Sequence, residues 1–287
     1  MAVQAPDLDD PLLRFDAPGD LPARATQTLR SAIRVRAGLR TQGLECVADE
    51  VPVAMVFNGI SHAVMLASPA DLEDFGLGFS LAEGVIERSA ELYETDVHDH
   101  ASGIEIRMRI SGRAFEALKA RRRSLTGRTG CGLCGVDSLQ QVARPVAAVS
   151  RGPAIGEQAI ERAFAQLSQS QALHALTGAM HAAAWADTQG NLVAVREDLG
   201  RHNALDKLIG ALAHAGRNPS QGFAIVTSRA SYEMVLKVAS YGGGLLAAIS
   251  APTGLAVDLA AQAGMTLCGF VRNGQMVIYH DARSGGD

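Results

Sequence analysis

Residues 103–110, "GIEIRMRI", alternate apolar and polar side chains with a period of two, which predicts a strand with one polar face. Upstream, "LECVADEVPVAMVFNGI" and "HAVMLASP" are rich in β-branched and apolar residues. Asn58-Gly59 between them predicts a hairpin turn. "SPADLEDFGLGFSLAEGVI" carries helical spacing, with Ser68 as the expected N-cap and Pro69 at the first helical position. "GRAFEALKARRR" reads as a second helix. Residues 44–125 are therefore expected to form a smaller α+β unit.

Past residue 145 the pattern changes. "GEQAIERAFAQLSQSQAL" is an amphipathic helix, and "AMHAAAWADTQGNLVAVRED" is a strand pair turned at Gln189-Gly190-Asn191. "HNALDKLIGALAHAG" is a helix ended by Gly216. Strand "GFAIVTS", helix "SYEMVLKVASYGG", strand "LLAAIS" and helix "GLAVDLAAQAG" follow, then strands "TLCGFVR" and "QMVIYH" joined at Asn273-Gly274. Strands alternating with helices predict βαβ crossovers and a largely parallel sheet covered on both faces. The expectation for residues 145–280 is a three-layer α/β core, with 281–287 as a short tail.

The remaining segments are less patterned. Residues 1–43 are expected to be a mobile extension: the first 22 are Asp-, Pro- and Ala-rich, and Arg24, Arg30, Arg34, Arg36 and Arg40 read as a solvated face or leader. Residues 126–144 read as a glycine-rich loop, with Gly127, Gly130, Gly132 and Gly135 around the cysteine pair. The chain has 47% hydrophobic and 20% charged residues and a net charge of −4, which excludes whole-surface electrostatic binding of nucleic acid. No apolar run approaches the ~20 residues that span a bilayer. The N-terminus lacks the charged and apolar regions of a signal peptide. Four cysteines are too few for a disulfide scaffold at this length, so a cytoplasmic protein with reduced thiols is expected.

The chemistry concentrates in "TGRTGCGLCG". Cys131 and Cys134 stand two residues apart among glycines, downstream of Arg121, Arg122 and Arg123 and beside Arg128. Zinc in a structural site needs four ligands, and this chain has one such knuckle; Cys46 and Cys268 read as isolated buried thiols in strands. A zinc deaminase would need proline before the pair and His-x-Glu elsewhere. Gly130 precedes Cys131, and no histidine has glutamate two positions on. A thioredoxin-type dithiol would open a helix after a strand. A glycine-flanked, exposed thiolate whose pKa nearby arginines lower suits a carrier that reaches into other sites. The arginines themselves read equally as phosphate guides or as a solvated basic face.

Two polar clusters open helices after strands in the second half. Arg201, His202 and Asn203, with Asp206 and Lys207 behind them, follow "VAVRED"; Ser228, Arg229 and Ser231 follow "FAIV". Ligands in open α/β sheets bind at the carboxyl ends of strands, near helix N-termini that attract anions. Ordinary caps with solvated charges are the alternative. Neither a P-loop nor a dinucleotide-binding glycine motif is written here.

Together "TGRTGCGLCG", "REDLGRHNALDKLIG" and "TSRASYEMVLKVA" resemble the FdhD family, the formate dehydrogenase accessory sulfurtransferases, over residues 45–280. The resemblance implies a cytidine-deaminase-like fold, usually as a homodimer, without the zinc ligands. It implies a sulfurtransferase that takes persulfide sulfur from a cysteine desulfurase. The acceptor is then the molybdenum bis(molybdopterin guanine dinucleotide) cofactor, bound as substrate and destined for formate dehydrogenase; a guanine nucleotide such as GDP is an expected mimic. Cys131 matches the persulfide-bearing cysteine and Cys134 its partner. Phe270, Val271, Arg272, Asn273, Gly274 and Gln275 match the cofactor-contacting segment, for which a plain hairpin is the alternative. Arg201, His202, Asn203, Ser228 and Arg229 would complete the pocket. The rival functions are a non-catalytic cofactor chaperone and a protein-disulfide oxidoreductase. Neither nucleic acid, nor a membrane, nor a resident metal is expected.

Overall fold

The computed structural model describes residues 24–125, 148–150 and 153–282, without the side chains of 121–125. Cys131, Cys134 and Arg128 lie outside the described residues, as does the whole glycine-rich loop of 126–144. Arg121, Arg122 and Arg123 fall within a helix backbone whose side chains there are not described.

The first elements among the described residues are β1 (Gln27–Arg36) and β2 (Leu39–Ala48), an antiparallel ribbon paired over ten residues. This corrects the expected mobile extension: residues 27–43 are strand and turn, and β2 crosses the expected boundary at 44. Apolar and polar residues alternate through "LRSAIRVR" as in any strand, but the arginines masked the period. Cys46 in β2 is half-buried rather than buried.

A four-stranded sheet follows, in the order β4-β3-β6-β5, from β3 (Val51–Phe57), β4 (Ile60–Ala67), β5 (Leu92–His100) and β6 (Gly103–Ile110). Asn58 (φ 47°) and Gly59 (φ 81°) make the predicted tight turn, both in the left-handed region that such hairpins require. Helices α1 (Leu72–Ala82) and α2 (Gly112–Leu125) accompany this sheet. Helix α1 begins after Asp71 rather than at Ser68, because the Ser68 hydroxyl is occupied by buried partners from the second unit.

The second unit has helices α3 (Glu157–Leu167) and α4 (Ala172–Thr177), then β7 (His181–Asp187), β8 (Leu192–Asp198) and α5 (Arg201–His214). After these come β9 (Gly222–Val226), α6 (Tyr232–Tyr241), β10 (Leu245–Ala248), α7 (Gly254–Ala263), β11 (Thr266–Arg272) and β12 (Gln275–His280). The sheet order is β12-β11-β10-β9-β7-β8. Only β9-β10 and β10-β11 pair in parallel; β7-β8, β7-β9 and β11-β12 are antiparallel. The sheet is therefore mixed rather than largely parallel. The short turns at residues 188–191 and 273–274 make hairpins, and a hairpin can join only antiparallel strands.

Alternate residues of the central strands feed two cores. Ala182, Ala184, Phe223 and Ile225 pack against α3, while Ala183, Trp185, Ala224 and Val226 pack against α5 and α6. Helix α1 is wedged between α5 and the four-stranded sheet by two glycines. A Cβ on Gly76 would stand 2.8 Å from Ile106 Cγ2, and one on Gly78 only 1.7 Å from the Asp206 carbonyl oxygen. Gly210 of α5 answers from the other side, its Cβ position 1.9 Å from the Asp74 carbonyl. The two units thus share a close helix crossing that no larger residue permits.

Candidate functional site at one edge of the mixed sheet

Strands β8, β9, β10 and β11 all end at the same edge of the sheet, and β7 and β12 begin there. His181 pairs with Asp198, the Thr227 amide donates to the Ala182 carbonyl, and the Phe270 amide donates to the Ser250 carbonyl. Strand direction alone therefore brings the 201–203, 228–229 and 270–275 segments to one rim, as ligand sites in α/β sheets require.

The residues at that rim play different parts. Arg201, half-buried at the start of α5, has a buried Nε with no hydrogen-bond partner among the described residues, and the Ser231 hydroxyl at the start of α6 is in the same condition. Buried donors are ordinarily satisfied, so these two mark candidate positions for hydrogen bonds to an acceptor. His202 Nε2 stands 2.7 Å from the Glu233 carboxylate, and His202 holds that carboxyl below the usual range. Arg229 is exposed, while Ser228 is buried and donates to the Arg229 carbonyl at 3.1 Å.

Phe270 has φ 53°, a left-handed conformation unusual for an aromatic residue, and leaves its side chain 37% exposed. The Arg272 guanidinium lies 5.8 Å from that ring, so the pair offers a flat apolar and cationic surface. Val271 points into the core. Asn273 (φ 53°) and Gly274 (φ 70°) form the turn to Gln275, which pairs with Arg272.

Three expected site residues face inward instead. The Asn203 amide donates to the Leu66 carbonyl at 2.8 Å and to Asp198 at 2.9 Å, so it ties α5 to the first unit. Lys207 is fully buried and donates to Asp198 (2.6 Å), Ser68 Oγ (2.8 Å) and the Ser68 carbonyl (3.0 Å). Asp198 also accepts from the Ser68 and Gly200 amides, the latter fixing the turn into α5. Asp206 pairs with buried Lys237, which also reaches Glu83 of the first unit at 2.7 Å. Burial pushes the Asp206 carboxyl up to about 6 against the opposing pull of Lys237. Although burial opposes it, Asp206 and Glu83 together keep the Lys237 ammonium charged. These groups brace the rim from beneath. Their sequence positions at a helix start resemble a binding cluster, and only the direction each side chain takes separates the two roles.

His181 was not singled out in the sequence. Burial lowers its pKa, with repulsion from Arg201 as the next cause, so it stays neutral at pH 7 beside a cationic cluster. Its one sequence signal is a lone histidine opening a strand of small apolar residues.

A cavity of about 140 Å³ lies at the opposite sheet end, among Ile155, Gly222, Leu245, Thr266 and buried Cys268. Its lining is mainly apolar, with Glu157, Ser220 and Thr266 among the polar groups. Among the described residues no helix is long and apolar enough to cross a membrane.

Comparison with known proteins agrees with this architecture. A crystal structure from Desulfotalea psychrophila, provisionally described as a formate dehydrogenase accessory protein, matches 89% of this chain and 97% of its own with a TM-score of 0.71 at 22% identity. The sulfur carrier protein FdhD of Cupriavidus necator is 58% identical over 233 residues, 81% of either chain. That of Bordetella petrii is 50% identical over 261 residues, covering 90% of this chain and 94% of the relative. The FdhD/NarQ family model matches residues 48–284, which include both rim clusters and the 270–275 turn; this chain belongs to the FdhD/NarQ family.

Proposed function

We propose that this protein carries sulfur as a cysteine persulfide from a cysteine desulfurase to the molybdenum bis(molybdopterin guanine dinucleotide) cofactor, in support of formate dehydrogenase. The observation that carries this reading is the rim itself. Orphaned donors of Arg201 and Ser231, exposed Arg229 and the Phe270–Arg272 platform lie at one sheet edge of a chain in the FdhD/NarQ family. Such a surface suits a ligand that combines phosphates with a flat base. His202 and Arg272 would meet phosphate oxygens, Phe270 would stack on a guanine, and Asn203 acts by holding α5 in place. The layering is read as cytidine-deaminase-like and the working form as a cytoplasmic homodimer.

In the first step the Cys131 thiolate attacks the outer sulfur of the donor persulfide. The donor S–S bond breaks, a new S–S bond forms on Cys131, and the donor leaves as its thiolate. Cys134, with two residues between it and Cys131 in the sequence, supplies a second thiol.

Intact mass after incubation with an active desulfurase and cysteine tests the carrier step. A gain of one sulfur atom that Cys131→Ala abolishes is expected. No gain, with full client activation by the Cys131→Ala protein, leaves the chaperone reading. Calorimetric titration with GDP tests the rim. Arg201→Ala and Arg272→Ala should each weaken binding about tenfold, the scale of one hydrogen bond to a charged group, and unchanged affinity in both would remove the rim from the site.

A further inference from the structure

We propose that the groove between α3 and the β11–β12 hairpin reads the donor edge of a 2-amino-4-oxopyrimidine ring, with the Glu161 carboxylate as the group that sets base specificity. The groove, about 580 Å³, is walled by Glu157 and Glu161 of α3 and by Phe270, Arg272, Gln275 and Met276 of the hairpin. A register shift between Gly269 and Arg272 interrupts the β11–β12 ladder where Phe270 takes its left-handed φ of 53°, and such bulges re-aim a side chain. Phe270 lines the groove with the Arg272 guanidinium 5.8 Å from its ring, a surface on which a flat heterocycle can stack. Neither glutamate carboxylate has a hydrogen bond or ion pair among the described residues, although Arg272 lines the same groove.

Charge decides which part of a ligand the groove takes. Two carboxylates repel phosphate oxygens, and the phosphate-seeking groups stand elsewhere on the rim: the unpartnered donors of Arg201 and Ser231, with exposed Arg229. Strand β9, which leads to Ser231, lies two strands from β11, ~10 Å along the sheet edge and within the span of a nucleoside diphosphate. A carboxylate only accepts, so it matches a ring edge that presents N–H donors side by side. Guanine has that edge in N1–H and its 2-amino group, and pterin carries the same pattern. Adenine puts an unprotonated ring nitrogen in that place. Glu161 is the reader rather than Glu157, because Glu157, one turn earlier, also lines the cavity at the opposite sheet end. The ligand is that of the functional reading, on which this assignment rests.

Calorimetric titration of the full chain with GDP, inosine diphosphate, ADP and 6-hydroxymethylpterin tests it. Inosine diphosphate keeps the phosphates, the sugar and N1–H but lacks the 2-amino group. The wild type should prefer GDP to inosine diphosphate by about tenfold, the scale of one hydrogen bond to a charged acceptor, and to ADP by more. Glu161→Gln, at an exposed position and checked by circular dichroism, should weaken GDP by about tenfold and shrink the preference to about twofold or less. Glu157→Gln should keep the preference. A GDP preference that depends on Glu161 assigns the groove to the nucleotide end of the substrate; Glu161-dependent pterin binding without it assigns the groove to the pterin end. A wild type that binds the three nucleotides alike and no pterin overturns the proposal and leaves the rim as a phosphate site. So does a GDP preference that survives Glu161→Gln. If none of the four ligands binds, the rim reading fails as well, while sulfur gain on Cys131 is measured separately.

Discussion

Lys207 is the residue at which stability and site meet. Its ammonium is fully buried and shared by Asp198 and Ser68, and Asp198 in turn sets the turn from which Arg201 and His202 project. Removing one partner of a buried pair leaves an uncompensated charge, so Lys207→Met should cost about 3–5 kcal/mol in denaturant unfolding at neutral pH. Adding Asp198→Asn should recover part of that loss; no recovery would mean that packing rather than charge is at stake. Glu91 offers a pH test. The Glu87 amide, then Arg113, with the Arg88 amide as a lesser partner, hold its carboxyl down to about 2 from an ordinary 4.5. A depressed carboxyl contributes stability that is whole above its unfolded value and is lost as pH falls toward its folded one. The melting temperature of the wild type should therefore drop between pH 4.5 and about 2 more steeply than that of Glu91→Gln. Parallel curves would show that the Glu91 contacts contribute nothing.

At the scale of elements, the crossing of α1 and α5 governs where the two units sit. Glycine in a helix interior costs about 0.5–1 kcal/mol relative to alanine, and "FGLGF" places two of them within one turn. The packing explains that cost, since the Gly78 Cβ position is already filled by the Asp206 carbonyl. Gly78→Ala should destabilise by about 3 kcal/mol, the upper end of ordinary overpacking. Gly254→Ala in α7, where nothing stands within 4 Å, should change stability by no more than about 0.5 kcal/mol. Equal effects of the two substitutions in thermal unfolding would argue against a tight crossing. Most elements were legible in the sequence because their periods are local: the alternation of "GIEIRMRI" and the turn chemistry of Asn58-Gly59 and Asn273-Gly274 each specify one structure. The N-cap at Ser68 was misread for the opposite reason. Its hydroxyl is drawn to groups 130 and 139 residues away, Asp198 and Lys207, which no window contains.

For the whole molecule, the links between units decide behaviour. Lys237 to Glu83, Lys207 to Ser68, Arg196 to Asp74 and the α1–α5 crossing all join the four-stranded sheet to the mixed one. Unfolding one unit alone would strand buried charges in the other. Calorimetry should accordingly show one cooperative transition, and two resolved transitions would mean that the units are coupled only loosely.

Sequence by itself determined the list of elements, the change of grammar near residue 145, the cysteine pair and the family motifs, because each is written in neighbouring residues. It also named the two helix starts and the 270–275 turn that meet at the rim. Tertiary structure alone decided the rest. The mixed strand order brought those segments to one edge and recruited His181. Side-chain direction then divided a single charged motif, leaving Arg201 and His202 at the rim while Asn203, Asp206 and Lys207 turn into the junction between units. Residues one position apart on a helix face directions about 100° apart, so whether a charge meets a ligand or a buried partner depends on what packs against that helix.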